Sequence, residues 1–168
     1  LQKIMRYFNT YGPVNEIEHY GVPRSKLVTE LVAQIEQGKY FTIYAPRQMG
    51  KTTLLRRLRD VLLKKESYLP VTLSFGGFEN LSEVEFLDAF HTLFRRHLLR
   101  VLPVASQTEP LKQLLTSPAL PNFFALGQLW QTLHELLPQY HIVQIIDEID
   151  GMPQSVISDV LQPPSTLT

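Results

Sequence analysis

Eight consecutive residues in the first third of the chain have the types and spacing of a phosphate-binding loop. Ala45 is followed by four residues and then by Gly50, Lys51 and Thr52. An apolar segment precedes them and a helical pattern follows, which is the strand-loop-helix setting that this motif requires. The backbone N–H groups of such a loop, with the positive end of the helix dipole, attract polyphosphate. The spacing therefore predicts a site for a nucleoside triphosphate.

The residue types in the loop suit separate roles in that site. Gly50 lets the backbone approach the phosphates because it has no Cβ. Lys51 would reach the β and γ phosphates as a point charge, and Thr52 would place its hydroxyl on a magnesium ion. The predicted nucleotide-binding residues are Ala45, Pro46, Arg47, Gln48, Met49, Gly50, Lys51, Thr52 and Thr53.

Two adjacent carboxylates follow an apolar, β-branched segment near the other end of the chain. Residues 141–146 suit a buried parallel strand, and Asp147 and Glu148 stand where it ends, at the edge where parallel sheets gather their ligand sites. Asp147 fits a carboxylate that holds magnesium through its waters opposite Thr52, and Glu148 fits the base that polarises the attacking water. We therefore predict Glu148 and Lys51 as catalytic residues. The alternative is that the two carboxylates only cap the helix that follows.

The two motifs resemble the Walker A and Walker B elements of the P-loop ATPases that use a catalytic glutamate, the branch that contains the AAA and STAND proteins. Residues 6–13, 19–20 and 37–48 are also similar to bacterial AAA-like ATPases in which a Gly-Lys-Tyr-Phe run precedes the loop. The resemblance is dense over residues 6–58 and 142–151. It implies ATP, with Mg²⁺, rather than GTP, because the chain has no Asn/Thr-Lys-x-Asp motif that reads guanine.

The alternation of strands and helices predicts a parallel sheet covered on both faces. Together with the resemblance, it leads us to expect an α/β fold with a three-layer αβα P-loop NTPase core. The expected strands are residues 39–45, 69–75 and 142–147. The expected helices run from a Ser25 cap to Gly38, over 51–65, from a Ser82 and Glu85 capping box to about Val101, over 110–116, from an Asn122 cap onward, and over 154–161.

The expected domains are an irregular segment over residues 1–24 and a partial P-loop NTPase domain over 25–168, with a helical insertion at about 82–121. Too few residues follow Glu148 to form another crossover and strand. The resembled branch places a fourth strand between the Walker A and Walker B strands and adds a fifth. We therefore expect a piece of a longer protein that lacks its C-terminal strands, with a strand-wide gap between the first and third strands.

Composition narrows the class of protein. The chain has 168 residues, of which 44% are hydrophobic and 19% charged, as in a single globular domain. Its 16 basic and 16 acidic residues give zero net charge and no general attraction to nucleic acid or anionic membrane. The absence of cysteine excludes a disulfide framework. No signal-like segment or membrane-length apolar run is present, so we expect a cytoplasmic protein.

Three functions remain open at this stage. The first is an ATPase module that couples Mg-ATP binding and hydrolysis to a conformational switch, with self-association or an effector domain expected in the longer chain. The second is a nucleotide-sensing scaffold without turnover. The third is a P-loop kinase for a small molecule, which Glu148 disfavours because a kinase needs no water-activating glutamate. The aromatic residues Tyr7, Phe8, His19 and Tyr20 either stack on adenine or simply pack.

Overall fold

The computed structural model describes residues 24–46, 49–117 and 120–161. The chain divides into two units, Leu1–Leu62 and Leu63–Thr168, and each is described by itself below. The aromatic residues proposed for adenine stacking lie outside the described residues, as do Arg47 and Gln48. The domain boundary expected after residue 24 stays a prediction.

The described part of the first unit contains two helices, α1 (Ser25–Glu36) and α2 (Lys51–Leu62), which pack against each other. Their buried residues recur at helical spacing and form one apolar stripe on each helix. These residues are Val28, Leu31 and Val32 in α1 and Leu54, Leu58 and Leu62 in α2. The expected Ser25 cap is wrong, because Arg24 holds the N-cap position and makes no side-chain capping bond.

The strand expected over residues 39–45 is also wrong, because residues 39–46 form neither helix nor strand. The side chains alternate as in a strand: Phe41 and Ile43 are half-buried, whereas Tyr40 and Tyr44 are 76% and 90% exposed. A strand also requires a neighbouring strand to take up its backbone N–H and C=O groups. The predicted alternation of side chains is therefore present, but among the described residues this segment forms no hydrogen-bonded ladder with another strand. The gap expected between this segment and the third expected strand stays a prediction.

The second unit contains a parallel sheet that, within the described residues, has two strands, β1 (Tyr68–Ser74) and β2 (His141–Asp147). The register pairs Tyr68 with His141 at one end and Ser74 with Asp147 at the other. Parallel pairing is expected for strands joined by a long helical crossover. The structure therefore shows a mixed helix-and-strand fold that is compatible with the predicted α/β class.

The described residues of this unit also form the helices α3 (Glu83–Val101), α4 (Glu109–Thr116), α5 (Phe123–Leu136) and α6 (Gln154–Leu161). The predicted caps of two of them are confirmed. At α3, the Glu85 N–H donates to the Ser82 hydroxyl, and the Ser82 N–H donates to the Glu85 carboxylate. The Ser82 hydroxyl also donates to this carboxylate, and this bond, followed by that from the Ser82 N–H, lowers the pKa of Glu85. At α5, the Ala125 N–H donates to the Asn122 side-chain oxygen at 2.9 Å.

The core of the second unit is aromatic. Helix α3 packs against β1, and Phe75, which follows β1, meets Phe86 edge-on with ring centroids 5.4 Å apart. Farther along α3, Phe94 meets Trp130 of α5 edge-on at 4.7 Å. Such pairs contribute about 0.5–1.5 kcal/mol beyond the area that they bury. The Phe75–Phe86 pair holds the carboxyl end of β1 against α3, near the edge of the sheet where Asp147 lies.

Among the described residues, no helix combines the length and the apolar character that crossing a bilayer requires.

Candidate functional site

The phosphate-loop motif meets the start of α2 at a glycine in the left-handed conformation. Gly50 has φ +74°, and Lys51 is the first residue of the helix. A Cβ built on Gly50 would meet no atom within 4 Å, so the backbone conformation rather than space is what selects glycine there. The Met49 N–H donates to the Pro46 carbonyl at 3.4 Å and the Leu54 N–H to the Gly50 carbonyl at 3.0 Å. The chain thus turns sharply and enters the helix at once.

The first turn of α2 carries the residues that we predicted for phosphate and magnesium. Lys51 and Thr53 are half-buried, and Thr52 is exposed. The first N–H groups of any helix have no acceptor within the helix and carry the positive end of its dipole. This end of α2 can therefore interact with an anion such as a phosphate group. Ala45 and Pro46 lead into the turn, half-buried and exposed respectively.

Arg24 contacts the phosphate-loop motif, and the sequence did not indicate this contact. Its Nη2 atom donates to the carbonyl of Met49 at 2.8 Å. The two residues are 25 positions apart, and no motif spacing links them. The contact depends on α1 and the loop being brought together by the fold of the first unit.

Asp147 and Glu148 stand at the carboxyl end of β2, in the second unit. Glu148 has φ 54° and ψ 46°, the only left-handed conformation at a non-glycine among the described residues. A conformation of this kind costs on the order of 1 kcal/mol and is found most often at functional sites. Asp147 Oδ1 accepts a hydrogen bond from the Glu148 N–H at 3.0 Å.

The carboxylate of Glu148 contacts the end of the neighbouring strand. Its Oε2 atom accepts a hydrogen bond from the Ser74 hydroxyl at 2.6 Å. Glu148 occupies the N-cap position of the short 3₁₀ turn Ile149–Gly151 but makes no side-chain capping bond there. This arrangement does not support the alternative that Glu148 is only a cap. Ser74 was missed in the sequence, although its place at the end of a predicted strand was a usable signal.

Two glycines leave room for this arrangement. A Cβ on Gly76 would lie 2.5 Å from Glu148 Oε2, and a Cβ on Gly151 would collide with the carbonyl oxygen of Phe75. The Gly151 N–H donates to the Glu148 carbonyl at 2.9 Å. The Glu148 carboxylate therefore lies in the space that the missing Cβ of Gly76 leaves, bonded to Ser74, while the side chain remains exposed to solvent.

The residues suit magnesium by their donor chemistry. Within the described ranges, no group of three or more His, Cys, Asp or Glu side chains could hold a metal ion by itself. Mg²⁺ does not require such a group, because it commonly binds one or two protein oxygens and completes its coordination shell with water and substrate phosphate. The Thr52 hydroxyl of the first unit and the Asp147 carboxylate of the second unit are each a donor of that type.

Comparisons with protein-family models, with curated proteins and with solved structures found no match for this chain.

Proposed function

We propose that this protein binds Mg-ATP and couples its binding and hydrolysis to a conformational change. The observation that supports the proposal most directly is the start of α2, where left-handed Gly50 is followed at once by Lys51 and Thr52. In this proposal the loop and Lys51 bind the phosphates, and Thr52 and Asp147 hold the magnesium ion. The ion would neutralise phosphate charge when bound.

The proposal also covers the fold and the cellular location of the protein. Parallel pairing of β1 and β2, with helix α3 packed on β1, supports a sheet covered by helices. We propose a three-layer αβα P-loop core, with a cytoplasmic location because Mg-ATP is the ligand. An effector domain or self-association in a longer chain would transmit the conformational change.

The proposed base for hydrolysis is Glu148. A general base must lie within hydrogen-bond reach of the water that it activates. The Glu148 carboxylate is exposed at the sheet edge, where its position is restricted by Ser74 and by its own left-handed backbone. A restricted, solvent-facing carboxylate can orient a water molecule without losing much further side-chain entropy.

A nucleotide-sensing scaffold without turnover is the second candidate, and one observation favours it. Glu148 Oε2 is already engaged by the Ser74 hydroxyl at 2.6 Å. If that bond persists with nucleotide bound, one acceptor position of the carboxylate is not available to the attacking water. Release of phosphate from ATP distinguishes the two candidates, because only the ATPase produces it.

Thermal unfolding with and without Mg-ATP tests the proposal. A ligand at about 100-fold above its dissociation constant adds roughly 2.7 kcal/mol to the free energy of unfolding, so the melting temperature should rise. Lys51→Ala should abolish this rise in melting temperature, because the positive charge that would bind the phosphates is removed. Lys112→Ala is the matched control, since Lys112 is an exposed lysine of α4 in the other unit. A folded wild-type protein whose melting temperature does not respond to millimolar Mg-ATP would contradict the proposal.

A further inference from the structure

We infer that Arg24 is a positioning residue that orients the Gly50 N–H of the phosphate loop. The inference deepens the proposed function and rests on it, because the N–H is useful only if phosphate binds there. The contact that carries it is the 2.8 Å hydrogen bond from Arg24 Nη2 to the Met49 carbonyl. Arg24 belongs to neither of the two motifs that predicted the site.

The geometry of the peptide group connects that carbonyl to Gly50. A peptide bond is planar, and in the trans form the C=O of one residue and the N–H of the next point in opposite directions. When Arg24 holds the Met49 carbonyl, the Gly50 N–H is directed to the side away from the guanidinium. A hydrogen bond from a charged donor is about twice as strong as a neutral one, so the plane is held firmly.

The loop needs an external restraint at this point because of its own glycine. Gly50 populates left-handed and right-handed conformations almost equally, so rotation of the Met49–Gly50 peptide costs little in an isolated loop. The observed φ of +74° is one of several that Gly50 could adopt. A loop that samples several peptide orientations must lose that entropy when it binds phosphate.

Arg24 can serve as a restraint because its own backbone is fixed. It is the N-cap residue of α1, and its carbonyl accepts the Val28 N–H at 3.0 Å. Helix α1 packs against α2, which begins directly after Gly50. Arg24 and Met49, the two partners of this hydrogen bond, are therefore attached to a pair of helices that pack against each other.

The experiment measures the dissociation constant of Mg-ATP by calorimetry for the wild-type protein and three variants. Arg24→Ala should weaken binding by about 10-fold, the effect of one charge-assisted hydrogen bond. Arg24→Lys should recover only part of the affinity, because an ammonium group is a point charge without the planar fork of arginine. Arg96→Ala, at an exposed arginine of α3, is the matched control and should bind like the wild type.

A second readout separates positioning from support of the fold. The amide resonance of Gly50 in the unliganded protein should move or broaden in Arg24→Ala, because the peptide then samples several orientations. The unliganded melting temperature should stay close to that of the wild type. Unchanged affinity and an unchanged Gly50 resonance would overturn the inference. So would an affinity loss accompanied by general unfolding in both Arg24 variants.

The two proposals can fail separately. If the wild-type protein binds Mg-ATP and Arg24→Ala binds equally well, the role of Arg24 is wrong and the proposed function stands. If the wild type does not bind, the proposed function is wrong. The Gly50 resonance of Arg24→Ala then still decides whether Arg24 orients the peptide.

Discussion

At the scale of single residues, Asp147 and Glu148 are adjacent in the chain but have different surroundings. Asp147 completes β2 and accepts the N–H of the next residue, whereas Glu148 leaves the strand in a left-handed conformation and reaches Ser74. Adjacent carboxylates in different environments can take different chemical roles. One suits a fixed metal ligand and the other a base at the sheet edge.

We expect substitutions at these two positions to separate the roles. Glu148→Gln should keep Mg-ATP binding and lower hydrolysis by roughly 10²–10⁴-fold, because an amide cannot act as the general base. Asp147→Ala should weaken binding only when magnesium is present. Calorimetry with and without magnesium, together with phosphate release, measures both effects. Equal losses of binding from the two substitutions would instead favour a purely structural role for the carboxylate pair.

At the scale of elements, two glycines differ in backbone conformation, one at the start of α2 and the other inside α5. Gly50 directly precedes α2 with a positive φ, whereas Gly127 lies inside α5. A Cβ at either position would meet no atom within 4 Å, so neither substitution is limited by space. Backbone conformation alone decides their effect on stability.

Alanine at these two glycines should therefore change stability in opposite directions. Gly127→Ala should stabilise the protein by about 0.5–1 kcal/mol, because alanine is the better helix former and has less entropy to lose. Gly50→Ala should destabilise it by on the order of 1 kcal/mol, because a left-handed φ is strained for a residue with a Cβ. Urea unfolding measures both. A stabilising Gly50→Ala would show that the left-handed conformation at Gly50 is not maintained in solution.

At the scale of the whole molecule, a buried histidine gives the second unit a pH dependence. His91 of α3 is 4% exposed, and its Nε2 atom has no hydrogen-bond partner among the described residues. Burial lowers its pKa below the ordinary value of 6.5, the positive charge of Arg95 lowers it further, and Asp88 raises it in part. Burial and two neighbouring arginines also lower the pKa of His97.

The sign of the effect follows from the lowered pKa. The unfolded chain takes up the proton more readily than the folded one, so the stability is complete above pH 6.5 and is lost as the pH falls through the folded pKa. Trp130, the single tryptophan, packs on Phe94 of α3, so its fluorescence reports unfolding of this unit. We expect the urea concentration at the unfolding midpoint to decrease as the pH is lowered from 6.5 in the wild type, and to decrease less in His91→Leu, which lacks the His91 contribution. Identical pH profiles for the two proteins would show that His91 does not titrate between the states.

The sequence by itself determined the features that depend on neighbours within one helical turn. The Ser82 and Glu85 box and the Asn122 cap were predictable because the interacting groups are three residues apart. The start of α2 at Lys51 followed from the loop motif in the same way. The parallel direction of the sheet, though not which strands pair in it, was also predictable, because helical segments connect the strands.

Tertiary structure decided the features that depend on which segments meet. Residues 39–46 have the side-chain alternation of a strand, but a ladder requires a partner strand that no local pattern can guarantee. The bond from Arg24 to Met49 spans 25 positions, and that from Ser74 to Glu148 spans 74. Each forms because helix packing or strand register brings two distant backbones within the short reach of a hydrogen bond, and sequence spacing does not encode that distance.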